Sequence, residues 1–283
     1  MILGHYYVSH GDMANQIGRH LGGIGDIQEV EDRCEDIGGN AYVYAYPNGD
    51  WDVVCAAERT WHAPGWEVCD KQRARVAPAP RGAGKSSEGA DALRSMRRAR
   101  AKLRQLALSN QFRYFVTLTL SPDEVDRYDS NAVMRKVNRW LDNMVRRYGL
   151  RYILVPEQHK DGAWHFHGFM AGEGLTAVDS GVRWDGRVVY NLPQWRLGFT
   201  TAQELYGDYV AAVAYCCKYI GKQQGQRPMG RWYYSGGALA KPERQLVTLE
   251  YRQLLADYPE EAVELEIPGT RMVVIHHRGN KTD

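Results

Sequence analysis

Tyr152-Ile-Leu-Val-Pro-Glu-Gln-His-Lys-Asp-Gly-Ala-Trp-His-Phe-His-Gly-Phe-Met170 is the stretch that decides the fold. Two apolar and aromatic runs flank a short polar turn, which reads as a β-hairpin. A three-residue connection, Lys160-Asp161-Gly162, with glycine in the left-handed position is a favoured loop. In that register His159 faces Ala163 and Glu157 faces His165. A two-residue Asp161-Gly162 turn would slip the pairing by one residue and reverse every face.

His165 and His167 lie two apart on the second strand. Both imidazoles therefore reach one side while Phe166 reaches the other. A His-x-His triplet on a strand is often incidental. The three-residue turn changes its weight, because Glu157 then stands across from His165 on the same face. Two nitrogens and one carboxylate converge, with positions left for water or phosphate. Imidazole ligands suit Mn²⁺ or Zn²⁺ better than Mg²⁺. Phosphate oxygens of a substrate would complete the shell for Mg²⁺ or Mn²⁺. His159 shares the parity and reads as an outer ligand or, more simply, as a turn residue.

Outward from the hairpin, Tyr114-Phe-Val-Thr-Leu-Thr-Leu120 reads as a strand. The next segment is a strongly amphipathic helix with Ser130 as its cap and Gly149 as its stop. Its apolar face is Val133, Met134, Val137, Trp140, Leu141, Met144, Val145 and Tyr148. Residues 174–200 are strand and loop, and Arg231–Tyr234 is a short aromatic strand. The order strand, helix, hairpin, helix predicts an α+β fold: a central antiparallel β-sheet with helices packed on one face.

A second helix covers Asp208 to Ile220, capped by Asp208 and ended by Gly221. Val210, Val213, Ala214, Cys217 and Ile220 form its apolar side. Tyr215, Lys218, Tyr219 and Lys222 share the other. Tyrosines often just pack at a helix edge, and lysines often just solvate one. The chemical alternative is a pair of nucleophiles. A phenol, with a pKa of about 10, is a poor nucleophile as it stands. A neighbouring ammonium favours the phenolate and offsets charge on a phosphoryl transition state. A second tyrosine one turn away permits a second transfer.

Residues 91–108 read as a basic helix with a sparse apolar stripe. Arg94, Arg97, Arg98, Arg100, Lys102 and Arg104 have no acid among them. They are either a solvated face or a set of DNA phosphate contacts.

The chain of 283 residues carries a net charge of only +2, so bulk charge does not announce a nucleic-acid binder. Hydrophobic residues make up 44 %, enough for a sizeable core. Apolar runs are too short for a membrane span, and the start lacks the pattern of a signal peptide. The expectation is a cytoplasmic protein without a membrane partner. Ala41–Tyr46, Asn48-Gly49 and Trp51–Val54 read as a hairpin. The predicted organisation is a β-rich region over 1–76 of unassigned role and a linker over 77–90. A principal domain over 91–245 and a small appendage over 246–283 follow. Gly84-Lys85-Ser86 lacks the earlier glycine and the strand of a phosphate loop, which argues against ATP binding. Cys34, Cys55, Cys69 and His62 offer the donors of a structural zinc site, but their wide spacing weighs against it, and buried unpaired cysteines are the simpler reading. Cys216 and Cys217 read as small buried hydrophobes.

Three motifs occur in order: Phe115–Leu120; Glu157-x7-His165-Phe-His-Gly-Phe169; and Tyr215-x-x-Lys-Tyr-Ile-x-Lys222. Together they resemble the HUH endonuclease superfamily. The tyrosine pair is similar to that of two-tyrosine rolling-circle replication initiators of the filamentous-phage gene II and microvirus gene A type. The likeness spans about residues 93–222, including the lead-in Arg97-Arg98-x-x-x-Lys-Leu-Arg-x-Leu106. It implies an HUH/RRM-like palm and a single-strand nick at an origin through a 5′-phosphotyrosine. It implies His165, His167 and Glu157 as ligands of Mg²⁺ or Mn²⁺, and Tyr215 and Tyr219 as nucleophiles. Lys218 and Lys222 would then support the phosphate. Its partners would be single-stranded or supercoiled origin DNA and a host helicase and polymerase, since the chain has no Walker motif. A transposase or relaxase with the same chemistry, and a non-catalytic nucleic-acid-binding module, remain alternatives. The absence of paired Cys-x-x-Cys motifs counts against a transposase.

Overall fold

The computed structural model describes residues 38–58, 61–62, 88–222, 227–267 and 270–279. Of the linker expected over 77–90, residues 77–87 lie outside them and residues 88–90 are already helical; the Pro268-Gly269 turn, Cys34 and Cys69 also lie outside.

Strands β1 (Gly38–Gly39), β2 (Ala41–Ala45), β3 (Trp51–Ala56) and β4 (Trp61–His62) come first. Helix α1 (Glu88–Leu108) leads into β5 (Tyr114–Thr119) and helix α2 (Ser130–Tyr148). The hairpin strands are β6 (Arg151–Gln158) and β7 (Trp164–Ala171). They are followed by β8 (Val178–Trp184), β9 (Arg187–Asn191), β10 (Thr200–Glu204) and helix α3 (Tyr209–Tyr219). After β11 (Tyr234–Gly236) and β12 (Glu243–Val247) come helix α4 (Tyr251–Asp257), β13 (Ala262–Ile267) and β14 (Thr270–His277).

The fold is α+β, as expected. Seven strands form an antiparallel sheet in the order β11-β6-β7-β5-β10-β9-β8. The expectation of helices on one face is corrected: they cover both. Alternation along β5 sends Tyr114, Val116 and Leu118 to one side, where they meet Val133, Val137, Leu141 and Met144 of α2. Burying each of those four side chains is worth about 1.5–3 kcal/mol, so this face alone commits α2 to the sheet. Ile153, Val155 and Phe169 point the other way, onto Ala99, Leu103 and Ala107 of α1 and Val213 and Cys216 of α3. Ile153-Leu-Val155 is a continuous apolar run because β6 is covered on both sides. The α2 cap is Asp129 rather than Ser130: its carboxylate accepts from the Asn131 amide at 2.8 Å. Gly149 ends the helix in the left-handed conformation (φ 60°).

A second antiparallel sheet has the order β12-β2-β3-β14-β13. The hairpin β2–β3 and the C-terminal strands, expected as separate regions, therefore share one sheet. The reason is register: β2 alone pairs only one side of β3, and β14 takes the other along its length, from Met272↔Ala56 to His277↔Trp51. Asp52, 4 % exposed, ties this sheet to α1. It accepts from Tyr46 Oη at 2.6 Å and from Arg104 Nη2 at 3.1 Å, and lies 2.7 Å from His276 Nδ1. Among the described residues no helix is long and apolar enough to cross a membrane.

Candidate metal and tyrosine site

The β6–β7 turn has the three-residue form. Gly162 takes φ 89°, its amide donates to His159 O at 2.9 Å, and Asp161 Oδ1 accepts from the Ala163 amide at 3.0 Å. Glu157 therefore pairs with His165 and Val155 with His167. Pro156 is tolerated because β11 pairs with β6 only over Tyr152–Leu154, leaving the edge beyond free of a ladder. Gly168 is required by the close approach of β6: a Cβ there would lie 1.9 Å from Ile153 O. The glycine thus lets the His-Phe-His strand sit close enough for the register to bring the three ligands together.

Glu157 Oε2 lies 3.2 Å from His165 Nε2 and 3.0 Å from His167 Nε2, and the two nitrogens are 2.8 Å apart. One donor atom from each residue falls within 4.8 Å of the others, so the three side chains form a group able to hold a metal ion. His165 is nearly fully buried and Glu157 and His167 largely so. Thr117 Oγ1 stands 3.0 Å from His167 Nδ1. With Nδ1–H donated to that hydroxyl, the lone pair is on Nε2, the atom facing Glu157. Burial, followed by the neighbouring imidazoles, lowers the pKa of both histidines, His167 to about 4. Both rings are then neutral at pH 7, the form that ligates. The donor set, two neutral imidazoles and a carboxylate, thus fits a divalent cation.

With the imidazoles neutral, Lys222 carries the charge opposite Glu157: Nζ lies 2.9 Å from Oε1. Burial pushes the Glu157 carboxyl up, but the Lys222 hydrogen bond and the positive neighbours outweigh it, and the net shift is downward. Lys222 Nζ also lies 4.2 Å above the Tyr219 ring. That ring stacks on His167 at a centroid distance of 4.1 Å and 19°. Tyr219 Oη donates to Tyr215 Oη at 2.7 Å.

The two tyrosines differ in setting. Tyr219 is 7 % exposed and Tyr215 is 50 % exposed. The inward side of α3 is Val213, Cys216, Tyr219 and Ile220, rotated from the expected Val210, Val213, Ala214, Cys217 and Ile220. Ala214 is exposed, because alanine contributes too little area to hold a helix face against the sheet. Tyr215 sits at the boundary, its ring edge-on to Phe115 at 5.8 Å. Burial, then the hydrogen bond with Tyr215, raises the Tyr219 phenol well above its ordinary pKa. Lys218 is exposed, and among the described residues nothing ties it to the triad.

The basic helix divides. Arg94 is ion-paired with Asp91, Arg100 Nε donates to Ile220 O at 2.8 Å, and Arg104 holds Asp52. Arg97, Arg98 and Lys102 are exposed. Cys55 and Cys216 are buried free thiols. In the sequence Thr117 and Phe115 read only as part of a strand motif, not as site residues. They reach the site through the β5–β7 pairing, Thr117↔His167, between strands that are not neighbours in the chain.

Residues 113–224 match the family model of replication-associated proteins of the ORF2 and gene II protein type, a family consistent with a rolling-circle replication initiator. All six residues of the triad, the tyrosine pair and Lys222 fall inside that match, whereas α1 and the second sheet fall outside it. No curated protein and no solved structure was found to match the chain.

Proposed function

We propose that the protein is a two-tyrosine rolling-circle replication initiator of the HUH type. In this reading it nicks one strand of an origin and transfers the strand through a 5′-phosphotyrosine. The observation that carries the reading is the convergence of Glu157, His165 and His167 with Tyr219 stacked on His167 and Lys222 bridging ring and carboxylate. That cluster lies within the region resembling replication-associated proteins. Glu157, His165 and His167 would hold Mg²⁺ or Mn²⁺, which when bound polarises the scissile phosphate and stabilises charge on its oxygens.

The chain's own groups supply the rest. Attack by a tyrosine oxygen forms a P–O bond to the phenol while the P–O3′ bond breaks, leaving a 3′-hydroxyl for a host polymerase to extend. Tyr215 is the better placed to attack first: it is half exposed, and Tyr219 Oη already donates to its oxygen. Tyr219, kept protonated by burial, serves the second transfer once the strand has moved. Lys222 would offset phosphate charge, and Lys218 would act from the exposed side. The DNA partner is a single-stranded or supercoiled origin in the host cytoplasm, with strand opening left to a host helicase.

The test uses single-stranded oligonucleotides tiled across the replicon that carries the gene, incubated with Mn²⁺ and resolved on denaturing gels. A protein–DNA adduct is expected with the wild type and with Tyr219→Phe. It should be lost with Tyr215→Phe/Tyr219→Phe. An adduct formed by the double variant at the wild-type rate would defeat the assignment.

A further inference from the structure

A cleft of about 520 Å³ lies between α1 and the segment 227–233, and neither element makes it alone. Arg98 and Lys102 line it from the helix, and Arg227 and Arg231 line it from the segment. The one acid on the lining, Asp91, is already ion-paired with Arg94. Ser95 Oγ accepts from Arg227 Nη2 at 3.1 Å and from Trp232 Nε1 at 3.0 Å. Its own proton, which has no acceptor among the described residues, is left to donate. The cleft is therefore lined by four cations and a hydroxyl that presents hydrogen, a surface built to accept oxygen anions.

We propose that this cleft binds the phosphodiester backbone of DNA flanking the nick, a positioning site distinct from the metal triad. The proposal rests on the DNA-processing reading above and gives that activity a second point of grip. Two features favour a polymer over a free phosphate. Arg98 and Lys102 are four residues apart on a helix, on the order of 6 Å along its axis, so the cations form a run rather than a point. The volume also far exceeds one phosphate. Continuity with the candidate site is direct. The Arg100 guanidinium, on another face of the same helix two residues from both Arg98 and Lys102, holds Ile220 O, and a Cβ at Gly221 would meet Arg100 Nη2 at 2.5 Å. The helix that lines the cleft thus packs against the chain leading into Lys222. The sequence offered six basic residues on α1; the fold keeps two of them for the cleft and adds two from a segment about 130 residues later.

The experiment measures binding of a labelled oligonucleotide, single-stranded or duplex, by fluorescence anisotropy across a salt series without divalent metal. The full chain is used throughout. Arg98→Gln/Lys102→Gln should reduce the slope of log K against log salt by about 1.4 on a single strand, and by about 1.8 if the cleft grips duplex. Arg231→Gln should reduce it by about 0.7 or 0.9 respectively. The control is Arg135→Gln/Arg139→Gln, an equal charge change on exposed positions of α2, across the sheet; it should leave the slope unchanged. All these side chains are exposed, and circular dichroism checks that each variant is folded. A wild-type slope in Arg98→Gln/Lys102→Gln, or an equal fall in the control, would overturn the proposal. Because the readout needs no cleavage, a wild type that binds with this slope but never nicks DNA would defeat the nicking reading and leave the cleft standing.

Discussion

Arg104 is the residue where the charge-based expectation and the fold part most sharply, and Arg104→Met is the perturbation that separates them. The substitution keeps the aliphatic stem and removes the guanidinium. Arg104 is 14 % exposed and Asp52 4 %, so the pair is screened little by solvent. Two contacts to the carboxylate are lost, from Nε at 3.3 Å and Nη2 at 3.1 Å. Stripping one partner from a buried pair costs about 3–5 kcal/mol. Tyr46 Oη and His276 Nδ1 still hold Asp52, so a loss of about 3 kcal/mol, the low end, is expected. Urea unfolding followed by tryptophan fluorescence reads it. The double variant Arg104→Met/Asp52→Leu should be more stable than Arg104→Met alone, because an apolar pair leaves no charge buried. The DNA salt slope of folded Arg104→Met should equal that of the wild type. A variant as stable as the wild type with a slope reduced by about 0.7 would show that Arg104 contacts phosphate and that the Asp52 network is incidental.

Three further outcomes are expected. Asp52 is pushed up by burial but pulled below its ordinary pKa by His276 and Arg104, so its contribution is complete above about pH 4, the unfolded value. It is lost as pH falls through the lower folded value; acid titration of Asp52→Asn should show a stability deficit at pH 7 that vanishes at the acid end, and a constant deficit would refute the ion-pair account. His165→Ala and His167→Ala should each abolish saturable Mn²⁺ binding by calorimetry while metal-free DNA binding stays near wild type; retained Mn²⁺ affinity in both would remove the triad as a metal site. Gly168→Ala should lower stability by at least about 2 kcal/mol, since the new Cβ must push β6 and β7 apart. A thermal melt at the wild-type temperature would contradict that close approach.

What could be read in the sequence was local. The Lys160-Asp161-Gly162 turn sets the β6–β7 register within a few residues, so Glu157 opposite His165 followed from turn chemistry alone. The α2 face followed from its spacing. The covering of both sheet faces carried a signal too, the unbroken Ile153-Leu-Val155 run, which marks a strand buried on both sides. Other features join distant positions: Thr117 with His167, Arg104 with Asp52, β2–β3 with β12 and β14. No turn or periodicity encodes these, because each depends on which strands become neighbours. Asp91, the acid that pairs with Arg94, lies on α1 itself and was legible, whereas Asp52, the acid that holds Arg104, was invisible for that reason, lying on a strand of the other sheet.

The tyrosine helix shows how little a face assignment says about chemistry. Tyr215 and Tyr219 are one turn apart and their hydroxyls touch, as helical spacing requires. Yet a rotation of the buried stripe toward Cys216 and Tyr219 places one phenol against His167 and leaves the other half in solvent. Two identical side chains thereby acquire different hydrogen-bonding roles and different access. The buried phenol is held protonated, by burial first, and donates. The exposed phenol accepts that hydrogen bond and can meet a substrate without any movement of α3. Exchanging the roles would require the Tyr219 hydroxyl to give up its acceptor and rotate out past Lys222, whose ammonium sits over the ring. In the proposed mechanism a strand joined to Tyr215 would supply a reason for that exchange, because the esterified oxygen is a weaker acceptor for the Tyr219 hydroxyl. In the proposed mechanism that asymmetry would set the order of two transfers by two otherwise equivalent residues.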